Sequence, residues 1–248
     1  VRRFMIFIGY ANDDRYDIVE SIVFHLKNWG FDTWYDFHNM YLGDNRQKTN
    51  FEHGIGESDY VIFVISNNTF QSPCAKEELL YSRSKWESGE IVFFPILNEM
   101  AASELPREYF WLRKLIYNEV TKKTGTFYVT NQIIEKILLD YKNQLSYRSI
   151  DMLLDKFQKD QETYLSELCG TLNTIDLDNY NARLGILYAA FKYIYTTICK
   201  NSYLPTFGIK IIERIFSLTR LNISIDHLTY GIFQDTLIID MNYYIHNL

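Results

Sequence analysis

Tyr60-Val-Ile-Phe-Val-Ile-Ser66, followed after a short polar loop by Ser72-Pro-Cys-Ala-Lys-Glu-Glu-Leu-Leu80, is the stretch on which the fold reading turns. A continuous apolar run of this length, bounded by polar residues, is the pattern of a strand covered on both faces. Pro73 stands where the first turn of a helix begins, a favoured place for proline. The unit is therefore strand, loop and helix, with the pair Glu77 and Glu78 in the first two turns of the helix. Such a junction leaves an opening for a ligand beside the helix N-terminus.

Outward from this stretch, strand and helix signals alternate. Phe4–Ile8 is a short apolar run of the central-strand kind, and Asp13 to Asn28 has helical spacing through Ile18, Ile22 and Leu26. Gly30 closes that helix, Phe31–Tyr35 is a second strand, and a polar loop runs through Gly43 and Asp44. A weaker helix over 49–57 precedes the strand at 60–65. The helix after Ser72 runs to Gly89. Strands are expected at 91–95, with Pro95 at the end, and at 115–117, then a helix over 129–141. Five strands separated by helices predict a flavodoxin-like, doubly wound parallel sheet.

From about residue 146 the strand signals stop, which divides the chain into an α/β domain over 1–145 and an all-α domain over 146–248. Ser149 is expected to cap a helix closed by Gly170, followed by helices over 178–200 and 205–220 and one starting at Ser224. This bundle carries no spacing of acids, histidines or nucleophiles that points to chemistry, and its expected role is sensing or oligomerisation.

Composition narrows the functions. The 248 residues carry a net charge of −6, with 16 basic and 20 acidic side chains in residues 1–145 and 9 and 11 in the rest. No basic face is concentrated enough for a phosphate backbone, so nucleic acid is not expected as a partner. Cys74, Cys169 and Cys199 are too few and too irregular for a disulfide framework or zinc site, and the five histidines show no metal spacing. No basic-then-apolar leader is evident, and the Leu184–Cys199 stretch is interrupted by Lys192. The expectation is a cytoplasmic, reduced protein without metal, cofactor or membrane partner. A response-regulator receiver has the same sheet order but requires Asp where this chain has Ser66.

The segments also carry a family resemblance. Phe7-Ile-Gly-Tyr10 is similar to the first strand of TIR domains, with Gly9 where Ser is usual. Gly30-Phe-Asp-Thr-Trp-Tyr-Asp36 resembles their second strand, and Leu42-Gly43 falls in the following BB loop. Val61–Ser66 matches the third strand with its terminal Ser, and Leu105-Pro106 lies where the family has Asp-Leu-Pro. Over about residues 3–143 the chain thus resembles a TIR domain, and more narrowly the prokaryotic TIR enzymes of antiphage defence that consume NAD+. In those enzymes a Ser-x-Trp-x-x-x-Glu pattern carries the catalytic acid. Counting from Ser72 puts Cys74 at the aromatic position and Glu78 at the catalytic one. Glu77 is the competitor, and the helical stripe alone does not decide between two residues about 100° apart.

What the resemblance implies is a glycohydrolase or cyclase for which NAD+ is substrate rather than cofactor. Breaking the nicotinamide–ribose bond builds oxocarbenium-like charge, which a fixed carboxylate gripping the ribose hydroxyls would stabilise. Water as acceptor gives ADP-ribose; an internal nucleophile gives a cyclic isomer. By the same mapping Gly9, Tyr10, Ala11, Asp36, Tyr41, Gly43, Ser72 and Cys74 line the substrate site. Ala11 replaces a frequent Arg, and Cys74 makes that wall smaller. Self-association through both domains and a defence-system partner protein are further implications. A non-catalytic TIR interaction module working through Leu42-Gly43 is the alternative, and a deoxyribosyltransferase on a related sheet is a third reading.

Overall fold

A computed structural model describes residues 4–35, 39–201 and 206–219. β3 (Tyr60–Ile65) is buried at every residue and occupies the centre of a five-stranded sheet ordered β2-β1-β3-β4-β5. It pairs in parallel with β1 (Ile6–Gly9), from Ile6 opposite Tyr60 to Gly9 opposite Phe63. On its other side lies β4 (Val92–Asn98), from Tyr60 opposite Val92 to Ile65 opposite Leu97. β2 (Thr33–Trp34) adds to β1, and β5 (Asn118–Val120) to β4. The chain reverses its winding between β1 and β3, so the crevice for a ligand opens at the carboxyl ends of those two strands.

One face of the sheet is packed by Phe7, Phe63, Phe93 and Leu97 with Trp34, Phe51, Ile55, Leu79 and Trp111. Each fully buried aromatic of this kind contributes about 1.5–3 kcal/mol relative to exposure. Gly9 belongs to this packing. A Cβ built there would run into the ring of Phe63, whose own ring stacks at 6.3 Å on Phe93. Glycine at the end of β1 is what lets the larger ring fill the interior.

Several elements depart from expectation. β5 lies at 118–120 rather than 115–117. Leu115 and Tyr117 pack against the core as the chain approaches the sheet while Ile116 projects into solvent, an alternation that imitates a strand. Pro95 stands inside β4, opposite Phe63, not at its end. β5 pairs only with Ile96–Asn98, so the other side of β4 carries no ladder at Pro95. The first helix begins as a 3-10 turn at Asn12–Asp14, passes through a π-wound turn at Arg15–Val19 and continues as α1 (Glu20–Asn28). The expected weak helix is a π-wound helix over Gln47–Ile55.

The loop after β3 is itself a short helix, α2 (Asn67–Gln71). Ser66 Oγ accepts from the Asn68 amide at 3.0 Å, and Thr69 Oγ1 accepts from the Ser66 amide at 3.0 Å, a reciprocal capping box. Ser72 then caps α3 (Pro73–Glu87) by accepting from the Ala75 amide at 3.2 Å. At its other end Gly89, with φ +76°, donates to the Trp86 carbonyl, and the Glu90 amide donates to that of Lys85. This paired closure needs the left-handed backbone that glycine adopts without penalty.

The chain divides into two compact units between Thr130 and Asn131, within α4 (Phe127–Leu139). The second unit is helical: α5 (Leu145–Lys159), α6 (Gln161–Thr174), α7 (Tyr180–Asn201) and α8 (Thr206–Leu218). α5 packs on α6 and α7 through Ile150, Leu153, Phe157, Leu168, Leu187 and Phe191. α5 starts at Leu145, so Ser149 lies inside it rather than capping it. Asp160, in extended backbone, splits the expected long helix, and Gly170 lies within α6. The helix expected from Ser224 lies outside the described residues. No helix among the described residues is long and apolar enough to cross a membrane.

Candidate active site

Two polar clusters involve the segments that follow β1 and β3. The first joins β1 to β3. Asp14, in the 3-10 turn after β1, is 3% exposed, and its carboxylate accepts from Ser66 Oγ at 2.6 Å and Asn68 Nδ2 at 2.9 Å. The Asp14 amide donates to the Ala11 carbonyl at 2.8 Å, so the Gly9-Tyr10-Ala11 stretch is tied to the same point. Two charge-assisted bonds satisfy a buried carboxylate that would otherwise be costly to desolvate. Tyr10 and Ala11 are both buried, with the Tyr10 ring 6.4 Å from that of Tyr35.

The second cluster surrounds the acid pair of α3. Leu79 turns into the core, so the two acids before it diverge. The Glu78 side chain is 12% exposed, whereas that of Glu77 is 61% exposed. Glu78 Oε1 accepts from Asn50 Nδ2 at 2.5 Å and from Arg46 Nη2 at 3.3 Å. Arg46 also holds Glu77 Oε2 through Nη1 at 2.7 Å and the Cys74 carbonyl through Nη2 at 3.0 Å. Its guanidinium lies 5.1 Å from the centre of the Phe51 ring, a cation–π contact. Partial burial pulls the Arg46 pKa down. The hydrogen bond to Glu77 and the influence of Cys74 and Glu78 outweigh that pull, so it stands above its ordinary value.

Arg46 and Asn50 were not singled out in the sequence. They stand four residues apart and reach the same oxygen of a residue about thirty positions away, a relationship with no local signature. Asp14 had a weak one, being an acid soon after a strand that borders the crevice.

The remaining expected residues are distributed as follows. Ser72 and Cys74 form the first turn of α3, the first as its cap and the second exposed with its thiol free. Tyr41 and Gly43 belong to a tight turn two residues before Asn45. The Asp44 amide donates to the Tyr41 carbonyl at 3.0 Å, and Asp44 Oδ2 accepts from the Tyr41 amide at 2.8 Å. Gly43, with φ +99°, sits where a type II turn needs glycine, and Leu42 at the tip is fully exposed. Asp36 lies outside the described residues. Among the described residues no three His, Cys, Asp or Glu side chains converge in a way that would hold a metal ion.

This geometry offers a largely buried carboxylate that accepts from Asn50 and Arg46. Such a group can accept hydrogen bonds from a polyhydroxyl ligand and stabilise positive charge developing next to it. Residues 6–130 match the family model described as TIR domain. The 2' cyclic ADP-D-ribose synthase BtTIR of Bacteroides thetaiotaomicron is 28% identical over 106 residues, 43% of this chain and 37% of that protein. The NAD(+) hydrolase TcpA of Theionarchaea archaeon (strain DG-70-1) is 27% identical over 131 residues, 52% and 38% of the two chains. The chain thus spans well under half the length of these relatives. Among solved structures, the TIR domain of the Toll-related receptor TRR-2 from Hydra magnipapillata aligns at 24% identity and a TM-score of 0.39, over 46% of this chain and 82% of that one.

Proposed function

The chain belongs to the TIR domain family, and we propose that it cleaves the nicotinamide–ribose bond of NAD+, with Glu78 as the essential carboxylate. The observation that carries this reading is the setting of Glu78, whose 12% exposed side chain accepts from Asn50 and Arg46. As the glycosidic bond lengthens, positive charge spreads over the ribose ring. A carboxylate already in place meets that charge without reorganising. Nicotinamide departs carrying the bonding electron pair. Water then captures the ribosyl cation to give ADP-ribose and a proton, or a hydroxyl or ring nitrogen of the same molecule gives a cyclic isomer. The curated relatives that carry hydrolase and cyclic-product names support this reaction class.

In this reading the region from residue 146 onward senses a trigger or drives self-association, and the protein serves antiviral defence in the cytoplasm. A second reading, a non-catalytic module that recruits other TIR domains, is favoured by one feature: the exposed Tyr41-Leu42 tip of the turn before Arg46.

The test is chromatography of NAD+ incubated with the full chain over a range of protein concentrations. Nicotinamide release that falls about 10³-fold in Glu78→Gln and stays near wild type in Glu77→Gln is the expected result. Release by neither wild type nor any variant at any concentration, with assembly intact, overturns it in favour of the interaction module.

A further inference from the structure

Asn50 is a polar residue in an apolar place. It stands on the inward face of the π-wound helix with Phe51, Gly54 and Ile55, and is 1% exposed. A primary amide needs partners at both ends to be buried without penalty. Its Nδ2 has one, the Glu78 carboxylate at 2.5 Å. Its Oδ1, equally buried, meets no donor among the described residues. The orientation follows from charge. An ionised carboxylate only accepts, so the nitrogen faces Glu78 and the oxygen goes without. A leucine of similar volume would fill the space without this penalty.

We propose that Asn50 is a positioning residue for Glu78, retained at the expense of stability to fix the plane and direction of its carboxylate. This rests on the reading of Glu78 as the carboxylate that acts on the substrate. Arg46 is poorly suited to that task, because its side chain is 32% exposed and its guanidinium is shared among Glu77, Glu78 and the Cys74 carbonyl. Asn50 is short and buried, and its amide nitrogen is given to Glu78. With Oε1 held by the buried amide, the carboxylate keeps its plane when Arg46 yields to a ribose hydroxyl. A misplacement of about 1 Å in such a group costs about 10²-fold in rate.

Two variants and a crystal structure test this. Asn50→Leu relieves the orphaned oxygen but also takes a donor from Glu78, so it is expected to melt within a few degrees of wild type, keep KM within about threefold and lose about 10²-fold in kcat. Asn50→Asp keeps the shape but turns the donor into a second acceptor at neutral pH. Its kcat should be low there and recover partly on acidification, when a proton bound between the two carboxyls restores a donor. Arg46, Glu77, Cys74 and Tyr81, whose ring packs on Phe51, are charged or ionisable groups near this face among the described residues and are common to both proteins, so the difference between the profiles reports the new carboxyl. Full kcat in Asn50→Leu overturns the proposal. In the crystal structure of Asn50→Leu the Glu78 carboxylate is expected to be displaced, and an unmoved carboxylate overturns the proposal without reference to turnover. A wild-type protein that leaves NAD+ intact strikes the enzymatic reading instead, and the crystal structure still decides the role of Asn50.

Discussion

Arg46 and Glu78, 32 residues apart, meet at 3.3 Å between Nη2 and Oε1, while the other guanidinium nitrogen holds Glu77 at 2.7 Å. One partly exposed cation therefore spans both members of the acid pair. Glu78 is the inner member and Glu77 the outer, so the pairing distinguishes two side chains that look equivalent in sequence.

In the proposed reaction Arg46 competes with the substrate for Glu78. A partly exposed ion pair is worth about 1 kcal/mol at most, equivalent to about a fivefold change in an equilibrium. Arg46→Ala should therefore raise kcat/KM for NAD+ by about fivefold and lower the melting temperature by a few degrees, since the contacts to Glu77, the Cys74 carbonyl and Phe51 go with it. Steady-state kinetics beside a thermal melt checks both, and a fall in kcat/KM would assign Arg46 to substrate binding.

Ser66 does two jobs, capping α2 and donating to the buried carboxylate of Asp14. Ser66→Ala removes both and should destabilise the chain by about 1–2 kcal/mol. The expected readout is a lower midpoint of urea denaturation with an unchanged slope. Asp14→Asn keeps the shape and the bond from Asn68 but turns its amide nitrogen toward Ser66 Oγ, so that bond reverses direction and loses its charge, and the change should cost less than Ser66→Ala.

Gly9 and Phe63 share one volume. Gly9→Ser should destabilise by about 1–3 kcal/mol, because the ring has no slack within the sheet. Phe63→Leu also costs stability by itself, yet the double variant should be more stable than the sum of the two losses predicts. A double-mutant cycle in denaturant measures that coupling, and strict additivity would contradict the packing described.

Leu42 is fully exposed at the tip of a turn shaped by Gly43. If self-association through this loop drives turnover, Leu42→Asp should leave the melting temperature within about 1 °C, since surface changes of this kind cost little. Activity per molecule should then stop rising with protein concentration. Sedimentation velocity with parallel nicotinamide assays is the check.

Much of the fold was legible because its signals are local. The Tyr60–Ile65 run is apolar throughout, as a strand buried on both faces requires, and its length and β-branched and aromatic content favour a strand over a buried helix. Ser72 with Pro73, and Gly89 at the other end, mark the limits of α3 through hydrogen bonds made within a few residues. The parallel, doubly wound order followed from alternating strands and helices alone. Where a signal was short or polar, it failed: Asn118-Glu-Val120 pairs at the sheet edge with little apolar content, while Leu115 and Tyr117 resemble a strand and pack as a loop. Asp160 split a helix whose apolar spacing runs straight through it.

The site divides along the same line. The amino-acid sequence by itself determined that a pair of acids lies near the start of a capped helix that follows the central strand of a parallel sheet, because capping and periodicity are matters of neighbouring residues. Only the tertiary structure decided that Glu78 faces inward and Glu77 outward, and that Arg46 and Asn50 converge on the former. Those facts depend on how the π-wound helix over Gln47–Ile55 packs against α3, a contact between segments about thirty residues apart that leaves no periodic trace in either one.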